Sequence, residues 1–147
     1  MKKTTVLVTG GAGFIGSHLV DALIKTGCRV IVIDNLSFGN KKNVNPSAVF
    51  RKYDIISSAV EGFFATYKPD YVFHLAANAK ISECTDDPVG TFGVNVLGPL
   101  CLLELARKYK VKGFIYSSSS SVYGEVKVKQ PILEDMLTKP ISFYGLE

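Results

Sequence analysis

The stretch TGGAGFIGSHL, Thr9 to Leu19, decides how the rest of this chain is read. It contains Gly11-x-Gly13-x-x-Gly16 and, in overlapping register, Gly10-x-x-Gly13-x-x-Gly16. A strand that bends sharply into a helix needs glycine at three points: in the tight turn, where backbone approaches a pyrophosphate without a Cβ in the way, and where helix meets strand. Free amides of the first helical turn then face the phosphates, and the helix dipole adds to the attraction. The pattern predicts a dinucleotide site when a strand precedes it, a helix follows it, and a second strand ends in an acidic residue about twenty residues on.

All three conditions are met. Thr5 to Val8 is a short β-branched run, Phe14 to Thr26 has helical spacing with Leu19 and Leu23, and Val30 to Ile33 is a second apolar run closed by Asp34. A carboxylate there can accept both ribose hydroxyls of an adenosine and repels a 2′-phosphate. No arginine follows in DNLSFGN, Asp34 to Asn40, which favours NAD over NADP, although Lys41 and Lys42 stand in the following loop. A plain strand-end turn is the competing role for Asp34. Asp54 is similarly placed to meet the adenine edge with Ile55 beside the ring, and a cap or turn is the competing reading there.

Further along, strand-like runs recur at Tyr71 to Leu75 and Gly113 to Tyr116, with a weaker one at Ala48 to Tyr53. Each is too short for a helix and rich in strand formers. Helical spacing covers Thr91 to Lys110, with Leu97, Leu103 and Ala106, and more briefly Ser58 to Tyr67. Strands alternating with helices predict an α/β fold, because parallel neighbours need crossover connections. After Tyr116 the pattern gives way to a long polar stretch, Ser117 to Pro140, and a loop of that length inside a compact domain points to function.

With 147 residues and 47% hydrophobic composition, the chain suits one well-buried globular domain. Its net charge of +4 comes from scattered lysines, with small groupings at Lys41 and Lys42 and at Lys127 and Lys129. These are read as solvated loop charges, so no nucleic-acid partner is expected. The start MKKTTVLVTG has too short an apolar run for a signal peptide, and no later stretch is read as approaching the roughly 20 apolar residues of a membrane span. Cys28, Cys84 and Cys101 are odd in number and lack metal-ligand spacing, which fits reduced thiols that serve in packing and a cytoplasmic protein with no metal.

Taken with HLAA at His74 to Ala77, Asp87-Pro88, NVLG at Asn95 to Gly98, SSSSSVYG at Ser117 to Gly124 and SFYG at Ser142 to Gly145, the glycine turn and DNLS resemble the extended short-chain dehydrogenase/reductase family, and within it the nucleotide-sugar epimerases. The resemblance spans essentially the whole chain. It implies a Rossmann-type doubly wound parallel sheet and an NAD site formed by Gly10, Gly13, Phe14, Ile15, Gly16, Asp34, Asn35, Asp54, Ile55, Leu75, Ala76, Ala77, Asn95, Ser117 and Tyr144. His74 is read as a core histidine. Asn95 is implied to steady the site from the long helix, with satisfaction of its own backbone as the alternative.

The resemblance also assigns chemistry. The catalytic hydroxyl of the family falls on Ser119, three residues before the valine of VYG, and the catalytic tyrosine on Tyr144, twenty-one residues after Tyr123. Related dehydratases carry Asp-Glu where this chain has Ser120 and Ser121, and two hydroxyls cannot supply that acid and base. Epimerisation at C4 through a 4-keto sugar is therefore the leading expectation. Another family member acting on a sugar nucleotide, such as a decarboxylase or reductase, and a non-catalytic NAD-binding module are the alternatives. The family pairs its tyrosine with a lysine four residues on, one position past Glu147. Residues 1–147 are accordingly expected to be the NAD-binding Rossmann domain of a C-terminally truncated, N-terminal fragment with negligible activity alone, whose parent is a homodimer acting on a sugar nucleotide.

Overall fold

A computed structural model describes residues 3–125 and 131–147, so Lys127 and Lys129 lie outside the described residues. Five strands, β1 (Thr5–Thr9), β2 (Arg29–Asp34), β3 (Val49–Lys52), β4 (Tyr71–His74) and β5 (Gly113–Tyr116), form one parallel sheet in the order β3-β2-β1-β4-β5. This is the order of a doubly wound Rossmann sheet, with its reversal between β1 and β4. The register pairs Thr9 with Ile33 on one side and with His74 on the other, so three strand ends finish level along one edge.

Period-two alternation divides the apolar side chains between two faces. Val6, Val8, Val30 and Val32 face one layer, where Val20 of helix α1 (Phe14–Lys25) is buried among them. Leu7, Ile31, Ile33 and Val72 face the other and pack with Val60 and Phe64 of α2 (Val60–Tyr67). Both central strands are covered on both faces, as near-continuous Val/Ile/Leu runs require in a parallel sheet.

Two short helices, α3 (Ile81–Asp86) and α4 (Pro88–Phe92), lead through a π-helical turn, Gly93–Leu97, into α5 (Gly98–Lys108). Sequence spacing placed this helix at Thr91 to Lys110 and missed α3. The start lies at Pro88 because Asp87 caps it, its carboxylate accepting from the Gly90 amide at 3.0 Å, while proline fits the first turn where no amide partner is needed. Read as one helix, Pro88–Lys108 has 21 residues, and an 18-residue window of it reaches a mean hydropathy of 1.6, long and apolar enough to cross a membrane, which corrects the expectation that no stretch approaches that length. Here Leu102 and Ala106 pack into the sheet core, while Val89 and Leu100 face outward. Cys101 is exposed on the same helix and so does not serve in packing, unlike the buried Cys84.

Beyond β5, a 3₁₀ turn at Ser120–Tyr123 and a one-turn helix, α6 (Phe143–Leu146), are held near the same sheet edge. Gly145 of α6 sits so close to the Ser121 carbonyl that a Cβ there would approach it to 2.5 Å. The polar stretch after Tyr116 thus folds back onto the edge where the strands end.

Candidate active site

The bend after β1 depends on glycine for two reasons. Gly10 has a φ of +72°, a left-handed conformation that L side chains rarely adopt. A Cβ on it would also stand 2.7 Å from the Ala76 nitrogen and the Leu75 carbonyl carbon, so the turn lies flat against the segment leaving β4. At Gly16 a Cβ would run into the Gly10 carbonyl, which places the third glycine where helix and turn touch. Gly13 is the N-cap residue of α1, and neither a side-chain cap nor an acidic first-turn residue occupies that end. The start of α1 therefore offers its amides and dipole to an anion.

Asp34 stands at the end of β2, buried, with Oδ2 accepting from the Ala12 amide at 2.9 Å and Oδ1 accepting from the Leu36 amide at 2.8 Å. Two backbone amides satisfy both oxygens of the buried carboxylate and aim it. Its side chain lines a cleft shared with Gly10, Gly13, Asn35, Ser37, Phe38 and Gly39 on one side and Leu75 to Asn78 on the other. Asp54 and Ile55 are not among the residues that wall this cleft. Asp54 accepts instead from Asn35 Nδ2 at 2.9 Å and so braces a residue of the wall, whereas Ile55 is buried in the core beside Gly98. Phe14 and Ile15 are exposed at the start of α1, where Phe14 meets His18 edge to face.

Ala76 and Ala77 continue into a second hollow, walled also by His74, Asn95, Tyr116, Ser117, Ser119 and Tyr144. The expected reactive hydroxyls thus share one hollow although they are far apart in sequence. Ser119 caps the 3₁₀ turn, its Oγ accepting from the Ser121 amide at 3.2 Å. His74 is a buried wall, with Nδ1 and Thr9 Oγ1 joined by a hydrogen bond of 2.6 Å, and burial pulls its imidazole down to about 4. It stays neutral near pH 7, in keeping with a core histidine. Burial pushes the Tyr116 phenol up, with the nearby Tyr144 and Glu147 adding to the effect.

Asn95, buried in the π turn, reaches out of its helix. Its Oδ1 accepts from the Asn78 amide at 2.8 Å, and its Nδ2 donates to the Asn78 carbonyl at 3.0 Å and to Glu147 Oε2 at 2.6 Å. π turns are rare and recur at functional sites, because the extra residue re-aims a side chain. Asn78 and Glu147 belong to this constellation, and sequence reasoning passed over both. Asn78 follows HLAA directly and was the more accessible signal, whereas nothing local marks Glu147.

The sequence profile of the NAD dependent epimerase/dehydratase family matches residues 6–147. The chain belongs to that family. A protein described as a putative UDP-glucose 4-epimerase of Methanocaldococcus jannaschii is 42% identical over 142 residues, covering 96% of this chain and 46% of that protein. Among solved structures, the UDP-glucose 4-epimerase of Thermotoga maritima with UDP-glucose superposes with a TM-score of 0.93 at 46% identity, over 97% of this chain and 47% of its own. The Thermus thermophilus UDP-glucose 4-epimerase in complex with NAD gives the same TM-score at 41% identity, again over 97% and 47%. The chain spans about half the length of these relatives. For an epimerase/dehydratase family member, a cleft along the carboxyl edge of β1 and β4 is the expected place for a dinucleotide.

Proposed function

We propose that residues 1–147 are the dinucleotide-binding domain of an NAD-dependent nucleotide-sugar 4-epimerase. The observation that carries this is the pair of adjoining hollows at the β1/β4 reversal, one walled by Asp34 and the other by Ser119 and Tyr144, which share Ala76 and Ala77. The residues fit NAD: a glycine cradle that a Cβ would fill, an uncapped helix start for the diphosphate, and a buried carboxylate for a ribose diol.

NAD held by the glycine turn and Asp34 would supply a reversible hydride acceptor for C4 of the sugar. Tyr144 acts as the general base that takes the proton of the sugar 4-hydroxyl and as the general acid that gives it back after the sugar has turned over. Ser119 holds the same oxygen by a hydrogen bond. Asn95 keeps the Asn78 backbone in place, and the small side chains of Ala76 and Ala77 would leave room for the cofactor beside the chain. Ser120 and Ser121 carry neither the acid nor the base that loss of water requires, which directs a member of an epimerase/dehydratase family toward epimerisation. The same reading assigns a sugar nucleotide as substrate and a second copy of the protein as partner on the outward face of α4 and α5.

Calorimetric titration of the chain with NAD and NADP tests the cofactor, with NAD expected to bind the more tightly. Incubation of the complete gene product with UDP-glucose and UDP-galactose tests the reaction, with interconversion expected. Failure to bind NAD, or conversion of a sugar nucleotide by loss of water or CO₂, overturns the proposal.

A further inference from the structure

The epimerase reading leaves Glu147 without a task, yet its carboxylate lies in the wall of the reactive hollow. Its Oε1 accepts from Thr91 Oγ1 at 2.9 Å, and its Oε2 accepts from Asn95 Nδ2 at 2.6 Å. Both donors are buried, at 4% and 5% exposure, one turn apart on α4 and the π turn. With each oxygen engaged by the protein, the carboxylate is poorly placed to exchange protons with a substrate. Through two hydrogen bonds from buried donors it thus ties two elements together.

The elements it ties are α6 and the long helix. Three contacts hold the segment that carries α6: Ser142 Oγ accepts from the Gly145 amide at 3.1 Å within the turn, Gly145 abuts the Ser121 carbonyl, and Glu147 reaches across to Thr91 and Asn95. Tyr144 rides on that turn. Through Asn95 the same tie reaches both backbone groups of Asn78, which walls the other half of the cleft.

We propose that Glu147 is a positioning residue, its carboxylate docking the Tyr144 turn onto Thr91 and Asn95 so that the tyrosine and the Asn78 wall keep one register. The proposal rests on the epimerase reading. It predicts that the hydrogen bonds matter and the charge does not. In Glu147→Gln the side-chain carbonyl can still accept from Asn95, and its amide can donate to Thr91 Oγ1, whose single hydroxyl proton can then turn to the Asp87 carbonyl, 3.0 Å away. In Glu147→Ala both ties vanish.

The experiment measures kcat and KM for UDP-galactose, together with thermal melting, in the complete gene product carrying Glu147→Ala, Glu147→Gln or Thr91→Val. A displacement of about 1 Å can cost on the order of 100-fold in rate, so Glu147→Ala is expected to lower kcat by about 30-fold or more with KM within about threefold. Glu147→Gln is expected to restore kcat to within about threefold of wild type, and Thr91→Val, which leaves the Asn95 tie intact, to lie between them. An alanine variant with unchanged kcat, or a glutamine variant as impaired as alanine, overturns the proposal. Should the alanine variant fail to fold, Thr91→Val with an undiminished kcat overturns it and an intermediate kcat supports it. A wild type that binds NAD but epimerises nothing overturns the functional reading and this proposal with it, and is told apart because no variant is then needed to see it.

Discussion

The two halves of the cleft are built differently. On the Gly10 to Asp34 side, β1 and β2 are buried central strands, the turn between β1 and α1 is dictated by glycine backbone geometry, and the carboxylate is held by two backbone amides, that of Ala12 in the bend and that of Leu36 just past β2. On the Ser117 to Glu147 side, the hydroxyl and phenol of the site arrive on a 3₁₀ turn and on α6, docked from outside the sheet. The contrast teaches that the binding half is a property of local backbone chemistry, whereas the reacting half is a property of tertiary docking. Changes on one side should therefore leave the other largely intact.

The largest expected effect tests this separation directly. Tyr144→Phe in the complete gene product should reduce epimerisation by about 10²- to 10⁴-fold, the range for loss of a positioned acid–base group. NAD affinity, followed by titration, should stay within about twofold. Loss of NAD binding in this variant would show that the two halves do not act independently.

Next in size is Gly10→Ala. Its positive φ and its contact with the Leu75–Ala76 backbone allow no relief by a rotamer change. A loss of about 3 kcal/mol or more is expected in urea denaturation, together with loss of NAD binding. Wild-type stability in this variant would mean that the turn is held by something other than glycine geometry.

His74 lies between the halves and provides a pH test. Its folded pKa is lowered to about 4 from an ordinary 6.5 by burial, so between those values the unfolded ring takes up a proton that the folded ring refuses. Stability from this group is full above pH 6.5 and is lost as pH falls toward 4, by up to about 3 kcal/mol. Glu61, Glu83 and Glu104, whose carboxyls are held below their ordinary value chiefly by hydrogen bonds to Lys108, Lys80 and Arg107 respectively, add further loss below about pH 4.5. Denaturation series at pH 7 and pH 5 should converge in His74→Gln. An undiminished difference would remove the histidine from this account.

The smallest of the four concerns Asp34. Asp34→Asn keeps a polar group at the end of β2 but loses the charge, and should weaken NAD by about tenfold, near 1.4 kcal/mol, while narrowing the preference over NADP. An unchanged ratio of the two affinities would show that this carboxylate does not face the ribose.

Much of this was legible in the residues. The five strands were each found within a residue or two, because β-branched runs and punctuating glycines are local signals, and β5 matched Gly113–Tyr116 end for end. The order of the motifs likewise points to the family. Helix α3 escaped because six residues, ISECTD, carry too little periodicity to register. The start of the long helix was misplaced because apolar spacing does not show a cap, and the Asp87-Pro88 signal marks the boundary better than the leucines do.

The sequence by itself determined the strand–turn–helix that opens the fold and the carboxylate that closes β2, since both follow from what glycine, β-branched residues and aspartate do to their own backbone. Only the tertiary structure decided that Asp54 braces Asn35 while Ile55 enters the core, and that Asn95 abandons its helix for Asn78 and Glu147. Those outcomes depend on which side chains meet across tens of residues of chain, and no local propensity encodes such a meeting.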